Sequence, residues 1–399
     1  MRIPASIDPS LTSSRPLRIA MIVQGEGRGH LMQAIALRNL YESVGHEVVG
    51  VLVGRSHRRI IPSFFRQAFE GRIFEFDSPN FVTDKRDEGI RVAATILDGL
   101  RHFFHYWRTL GEMNRRLQAL KPDVTLNFFE MMAGFYWLRF RPSFPIVSIA
   151  NQFLIQHPDA PKPEGSRTNA LMMRLLTWST SWGAYEKWVM SPLPLKDVPR
   201  RRLKVVPPII RQEVRSMEPA PQENFILAYV VNNGYAEQLR KWHEAHPELE
   251  VHCFWDNPDA AENWQPHSNF TFHRVNSTKY LDYLKRCRGI AGTAGFQSTC
   301  EAMYLNKPFL VVSVAQQYEQ QINAYFIEQA GIGHQTEILN LQWFTENGDM
   351  ALKRNFDRQW LASEQPYVTR LAELTGTPLQ KTSRLRLFRR PRGLASEAA

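Results

Sequence analysis

Cysteine is scarce: Cys253, Cys287 and Cys300 are the only three in 399 residues, and no two share a Cys-x-x-Cys spacing. That excludes a disulfide framework and a structural zinc site, and it points to a reducing compartment. No metal is expected. Long apolar runs are missing too. Met131–Leu138 and Phe309–Val312 fall well short of the roughly 20 residues that cross a bilayer. Met1 to Pro16 holds no apolar core of signal-peptide length, so a cytoplasmic location is expected. Acidic residues are in deficit, 39 against 49 basic ones, for a net charge of +10. Half of that excess lies in residues 380–399, where Lys381, Arg384, Arg386, Arg389, Arg390 and Arg392 face Glu397 alone. The charge marks a tail and not a surface-wide field. With no basic-aromatic recognition motif, no nucleic-acid partner is expected.

What is present is ordinary globular composition, 43% hydrophobic and 22% charged, in a chain long enough for two domains. Residues 1–17 read as a loose arm. Arg18–Val23 is a short apolar run suited to a buried parallel strand, followed by a glycine turn, a helix to Gly45, and a second strand at Glu47–Val53. This is a βαβ unit, which requires a parallel sheet covered by helices. The alternation continues with strands at Arg72–Phe76, Val124–Asn127 and Pro145–Ile149, and helices over 91–120 and Met131–Phe140. Within the first of these helices, Phe103–Trp107 reads as core. Asn151–Gly165 is loop, Asn169–Val189 is helical, and Ser191–Pro208, with its five prolines, is a linker. A second alternation runs from Phe225 to Gly331. The expected fold is therefore α/β, with two Rossmann-like doubly wound domains facing a cleft. The domains span 18–208 with the linker and 209–379, followed by the tail at 380–399. Ligands bind at the carboxyl ends of such strands.

Two segments carry chemistry. Gly25-Glu-Gly-Arg-Gly-His30 links a strand to a helix, where glycines bring amides close to a ligand and the helix start offers partial positive charge. Thus Gly25, Gly27, Arg28 and Gly29 form a candidate phosphate or acceptor loop. A dinucleotide site would want glycine where His30 stands and an acid about twenty residues on. Strand two ends instead at Gly54-Arg55. A histidine at this helix start has no evident packing reason, so His30 is a catalytic candidate. The second segment, Gly292-Thr-Ala-Gly-Phe-Gln-Ser-Thr-Cys-Glu301, again follows a strand and opens a helix. Thr293, Gly295, Phe296, Gln297, Ser298 and Thr299 make a concave set of donors for phosphate, and Glu301 lies within reach of sugar hydroxyls. Further on, Gln316, Gln320 and Asn323 fall on one helix face, offering donors and acceptors without charge.

These motifs resemble the GT-B nucleotide-sugar glycosyltransferases. The resemblance rests on Gly-x-Gly-x-Gly-His with Gly-Phe-x-(Ser/Thr)-x-x-Glu-Ala and Glu-Gln-x-x-Asn-Ala, over residues 18–335. It is strongest to the branch with the lipid II-forming N-acetylglucosaminyltransferase and the monogalactosyldiacylglycerol synthases. The resemblance implies that Gly295 to Thr299 hold the diphosphate, that Glu301 holds the ribose, and that Glu319, Gln320 and Asn323 read the transferred sugar. It also places His30 beside the reaction centre and Val275 where the base is gripped through backbone. Asn233 and Gly234, ending the first strand of the second domain, are candidate phosphate contacts. Glu26 and Glu130 compete with His30 as the base. The function implied is transfer of a sugar from a nucleoside diphosphate donor, a UDP-sugar, to a hydroxyl acceptor with inversion. The nucleotide sugar is co-substrate, and no tightly bound cofactor is expected. The alternatives are a nucleotide-sugar epimerase of the same fold and a non-catalytic nucleotide-sugar-binding protein. Finally, the tail interleaves arginines with Leu385, Leu387 and Phe388, and the 169–189 segment is rich in Leu, Met and Trp. Both suit an anionic membrane surface on its cytoplasmic face, with a lipid or lipid-linked acceptor.

Overall fold

The structure is a computed structural model that describes residues 15–55, 60–79, 102–163, 167–230, 233–255, 257, 261–313, 317–347 and 355–376. The first half runs β1 (Arg18–Gln24), α1 (Arg28–Ser43), β2 (Glu47–Arg55), α2 (Ser63–Ala68), β3 (Ile73–Asp77), α3 (Phe103–Leu120), β4 (Val124–Phe128), α4 (Met131–Phe140) and β5 (Ile146–Ala150). A 3₁₀ turn at Gln152–Gln156 leads to α5 (Arg167–Thr180), β6 (Glu186–Met190) and β7 (Leu203–Val206). All seven strands are parallel, in the order β3-β2-β1-β4-β5-β6-β7. Their near-continuous burial is what a sheet covered on both faces requires: Val124–Phe128 and Ile146–Ala150 are buried at every residue.

The second half contains α6 (Gln212–Arg215), β8 (Phe225–Val230), α7 (Asn233–Glu244), β9 (Glu250–Trp255), β10 (Asn263–His267), β11 (Phe270–Arg274) and α8 (Ser277–Arg286). It continues with β12 (Gly289–Thr293), α9 (Phe296–Leu305), β13 (Phe309–Val312), α10 (Tyr318–Gln329) and β14 (Gly333–Thr336). Helices α11 (Gln342–Asn347), α12 (Arg358–Ala362) and α13 (Gln365–Gly376) follow. The strand order is β10-β11-β9-β8-β12-β13-β14, and only β10 runs antiparallel to its neighbour.

In both sheets the order reverses beside the first strand of the half, between β1 and β4 and between β8 and β12. Such switch points open a crevice at the strand ends. The turn at 25–30 and the β4 end lie at the first, and residues 293–299 at the second. This is why the two glycine segments are where a ligand would sit.

Several expectations need correction. The helix expected over Asn169–Val189 stops at Thr180, and Glu186–Met190 is a strand paired with β5 and β7. Gly183, at φ +71°, turns the chain between them in a backbone region that side chains rarely adopt. The segment read as a linker contributes β7, the edge of the first sheet. The loop after β5 contains the 3₁₀ turn, and β10 and β14 were not foreseen. Phe104 and Trp107, expected in the core, are 83% and 45% exposed. Residues 91–101 of the long helix expected there, and the tail, lie outside the described residues.

The two halves are held by more than the linker. Tyr367 on α13 donates its hydroxyl to Pro207 O at 2.6 Å and packs edge-on to Trp188, so the last helix crosses back to the first half. Tyr318, Ile322 and Phe326 of α10 share one buried cluster with Phe129, Phe153 and Leu154. Helix α10 is thus wedged against the first half.

Candidate functional site

The first turn is shaped by close backbone approach. Gly25 N–H donates to Gly54 O at 2.7 Å, and a Cβ on Gly25 would stand 2.5 Å from that same oxygen. Only glycine fits. Gly27 caps α1 with extended backbone, and a Cβ on Gly29 would meet nothing within 4 Å. The turn therefore presents an open helix N-terminus, with Glu26 and Arg28 on either side of the cap.

His30 sits in the first turn of α1 and is only 7% exposed. Contrary to expectation it has a packing role. Its ring stacks on Phe129 at 5.7 Å between centroids, 27° from parallel. Nδ1 lies 3.2 Å from Oε1 of buried Gln33, an acceptor, so Nδ1 carries the proton and Nε2 is left as the basic nitrogen. Burial pushes its pKa down to about 4, an effect that the Gln33 bond opposes. The imidazole is neutral near pH 7, as a base must be.

Glu130, at the end of β4, is 1% exposed. Its Oε1 accepts from Ser78 Oγ at 2.6 Å and, as the N-cap of α4, from Met132 N at 3.0 Å. Desolvation pushes its pKa up to about 7 and nearby Glu26 raises it further, while the bonds from Ser78 and Met132 lower it. Asn127 holds it from behind, accepting from Glu130 N at 2.9 Å and donating to Thr180 O at 2.7 Å. Glu26 thus lies near Glu130, and His30 packs on Phe129, the residue before Glu130.

Across the cleft, Gly295 caps α9 with open space where its Cβ would be. Thr293, Gly295, Gln297 and Ser298 are partly exposed there. Phe296 is 6% exposed and packs into the core, which leaves its backbone amide as the group it can offer. Thr299 is fully buried, with its hydroxyl unpartnered, and so does not line the open surface of the turn. Glu301 was expected to be available to hydroxyls. It is 3% exposed and held bidentate by Arg211, whose Nε and Nη2 donate at 2.6 Å each, with Gln297 Nε2 on Oε1 at 2.7 Å. Arg211, on the stretch joining the halves, is a residue the sequence reading missed. Nothing about Pro207-Pro-Ile-Ile-Arg211 marks it; its partner is 90 residues away. A cavity of about 390 Å³ opens beside this pair, walled by Met32, Ile35 and Asn39 of α1, by Ile209 and Arg211, and by Gln297.

The row of amides on α10 is also reordered. The helix begins at Tyr318, and Gln316 lies outside the described residues, as does Asn232. Gln320 Nε2 donates to Gln317 Oε1 at 2.7 Å. Asn323 is 1% exposed and donates to Ala294 O at 2.8 Å, so it braces the loop before α9 instead of facing open space. Its Oδ1 has no partner. Glu319 accepts from Asn151 Nδ2 at 2.8 Å and Gln152 Nε2 at 2.9 Å, both from the first half, and burial raises its pKa. Asn233 and Gly234 are exposed at the start of α7, where Asn233 Oδ1 accepts from Trp255 Nε1 at 3.1 Å. Val275 is partly exposed between β11 and α8.

The family model described as glycosyl transferase family 1 matches residues 17–346. Among solved structures, the chain is similar to Phytolacca americana UGT2 complexed with UDP-2fluoro-glucose and pterostilbene. The TM-score is 0.58 and the identity 14%, over 91% of this chain and 94% of that one. It is also similar to the glycotransferase of kitacinnamycin, with TM-score 0.54 and 16% identity over 91% and 94% of the two chains. A third, LpCGTa in complex with UDP, has TM-score 0.54 and 12% identity over 91% of each. No curated protein matches the chain in sequence. At these identities the structural likeness is one of fold, the GT-B arrangement of two Rossmann-like halves.

Proposed function

The chain belongs to glycosyl transferase family 1 and is a glycosyltransferase of the GT-B fold, and from that premise we propose that it transfers the sugar of a UDP-sugar to a hydroxyl acceptor with inversion. The observation that carries the reading is the pairing of two open helix starts at the two switch points. One is capped by Gly27 beside His30 and Glu130, the other by Gly295 beside the Arg211–Glu301 pair. The solved relatives bound to UDP and to a UDP-sugar analogue support a uridine donor.

In this reading the donor lies on the second half and the acceptor on the first. The acceptor oxygen attacks the anomeric carbon as its proton passes to His30 Nε2, and the bond from that carbon to the diphosphate oxygen breaks. The negative charge on the departing diphosphate is met by backbone N–H groups at the α9 start, already oriented before the reaction. A second assignment of the base rests on one observation. Glu130, with its pKa near 7, matches the operating pH better than His30 does.

A membrane-borne acceptor is supported by α5. Leu171, Leu175 and Trp178 recur at i, i+4 and i+7 and are 56%, 49% and 55% exposed, with Arg167 and Arg174 exposed beside them. Among the described residues no helix is long and apolar enough to cross a membrane. The chain would dock by this face and the basic tail, and the acceptor would be a lipid or lipid-linked sugar.

The test is incubation with a panel of UDP-sugars, with and without a hydroxyl acceptor. Acceptor-dependent release of UDP is the expected result. Sugar isomerisation without acceptor would favour the epimerase, and thermal stabilisation with neither product would favour a binding protein.

A further inference from the structure

Phe129 has a left-handed backbone, φ +59°, in a bulky residue that ordinarily avoids it. Among the described residues it is one of five such non-glycine residues. Lys121, Arg141 and Asn306 follow helix ends and Arg202 follows a 3₁₀ turn, where this conformation is a common terminator. Phe129 follows a strand and ends no helix. Its position is enforced by neighbours: Phe128 completes β4, and Glu130 N–H is fixed to Asn127 Oδ1. The Phe129 side chain is 3% exposed and lies in the buried cluster with Phe153 and Leu154. One side of its ring stacks on His30, and Phe153 meets it edge-on at 5.7 Å. Phe153 belongs to the cluster that receives Tyr318, Ile322 and Phe326 of α10.

We propose that Phe129 is the positioning residue of His30: its ring, buried and backed by Phe153 and α10, holds the imidazole in the orientation that frees Nε2. The proposal rests on the assignment of His30 as the base. It adds a route by which the docking of α10, a helix of the donor half, bears on the base of the acceptor half. Gln33 alone fixes one nitrogen and leaves the ring free to swing about that bond; the stacked face removes the swing. The same face keeps water from the ring. The titratable groups nearest it on the surrounding elements are Glu26 and Arg28 at the α1 turn, Glu130 after β4, and Tyr318 and Glu319 on α10, the last held by Asn151 and Gln152. None of these is among the causes of the lowered His30 pKa, which are burial and the opposing Gln33 bond.

The experiment compares Phe129→Leu with Phe129→Tyr. Both keep an apolar body, and Tyr keeps the ring. Thermal melting confirms folding, and NMR of ring-labelled protein then reads the His30 titration, tautomer and ring orientation without substrate. With Phe129→Leu the His30 midpoint should rise from about 4 toward its ordinary 6.5, and the ring should lose its single orientation while the Gln33 bond keeps its tautomer. Turnover should fall at least about tenfold with donor KM within about twofold, as expected when orientation and not binding is lost. Phe129→Tyr should restore wild-type values. A folded Phe129→Leu protein with an unchanged His30 midpoint and ring orientation would overturn the proposal. So would one whose loss lies wholly in donor KM. If His30→Ala is active, the base assignment fails by itself, while the NMR comparison still decides whether Phe129 orients the ring.

Discussion

Replacing Glu301 by Gln tests whether the Arg211–Glu301 pair is a binding element, a structural one, or both. The carboxylate has about four acceptor positions. Arg211 Nε and Gln297 fill Oε1, and Arg211 Nη2 takes one position on Oε2. One position remains. Glu301 can therefore accept one ribose hydroxyl, not clamp a vicinal pair, unless Arg211 moves. A single hydrogen bond to a charged acceptor is worth about 1.5–3 kcal/mol, or roughly 10–150-fold in affinity for UDP. The structural cost is separate. Arg211, whose side chain is 20% exposed, loses the partner that raises its pKa, and breaking such a pair costs about 3–5 kcal/mol. Melting temperature should fall clearly, and Arg211→Met should lower it similarly. Arg211→Met with Glu301→Leu should recover much of the loss, because neither charge is then left alone. Binding is read by calorimetry with UDP and with its two monodeoxyribose analogues. In wild type one deoxy analogue should lose affinity and the other should not. In Glu301→Gln that difference should vanish. If both analogues lose affinity equally in wild type, or the difference survives in Glu301→Gln, the lone-pair argument is refuted.

Four further outcomes can be checked. His30→Ala should lower turnover by about 10²–10⁴ with donor affinity nearly intact; an active His30→Ala beside an inactive Glu130→Ala would move the role to the carboxylate. Glu130, with a folded pKa near 7 against an ordinary 4.5, binds more protons folded than unfolded between those values. It therefore stabilises at low pH and loses that contribution, up to about 3 kcal/mol, as pH rises through 7. His30, with its pKa lowered, works in the opposite direction between about 4 and 6.5. Melting of Glu130→Gln relative to wild type should rise from pH 4.5 to 7; a flat difference would contradict the burial of that carboxyl. Asn323→Ala should weaken UDP itself, because the side chain braces Ala294, whereas Gln320→Ala should alter sugar discrimination with bare UDP unaffected. Equal affinity of Asn323→Ala and wild type for UDP would contradict the bracing role. Leu171→Ser with Trp178→Ser should reduce binding to anionic vesicles while sparing a short soluble acceptor, as should removal of residues 380–399; unchanged vesicle binding in both would remove the membrane docking.

The sequence alone settled the periodic features. Apolar runs of strand length, glycine turns and 3.6-residue repeats are local signals, and they placed β1, β2, β3, β4, β5, β8, β9, β11, β12 and β13, with the two glycine segments after β1 and β12. The expected place of the site followed from that alternation, because doubly wound sheets bind at their carboxyl edge. What failed locally did so for stated reasons. Glu186–Met190 carries two charged residues and follows a helical run, so its strand pairing is decided by β5 and β7, far away in sequence. The short segment Leu203–Val206 among prolines is a strand only because β6 lies beside it.

Side-chain partnership was the other matter left to tertiary structure. Nothing local says that Glu301 meets Arg211, that Glu319 is taken by Asn151 and Gln152, or that Asn323 turns inward to Ala294. These pairs join residues 29 to 168 positions apart, and only tertiary packing, between the halves for Glu319 and within the second half for Asn323, brings them within bonding distance. The sequence supplied the chemical groups and the turns that expose them. The fold decided which groups are already partnered, because a buried polar atom must find a partner among whatever the packing places beside it.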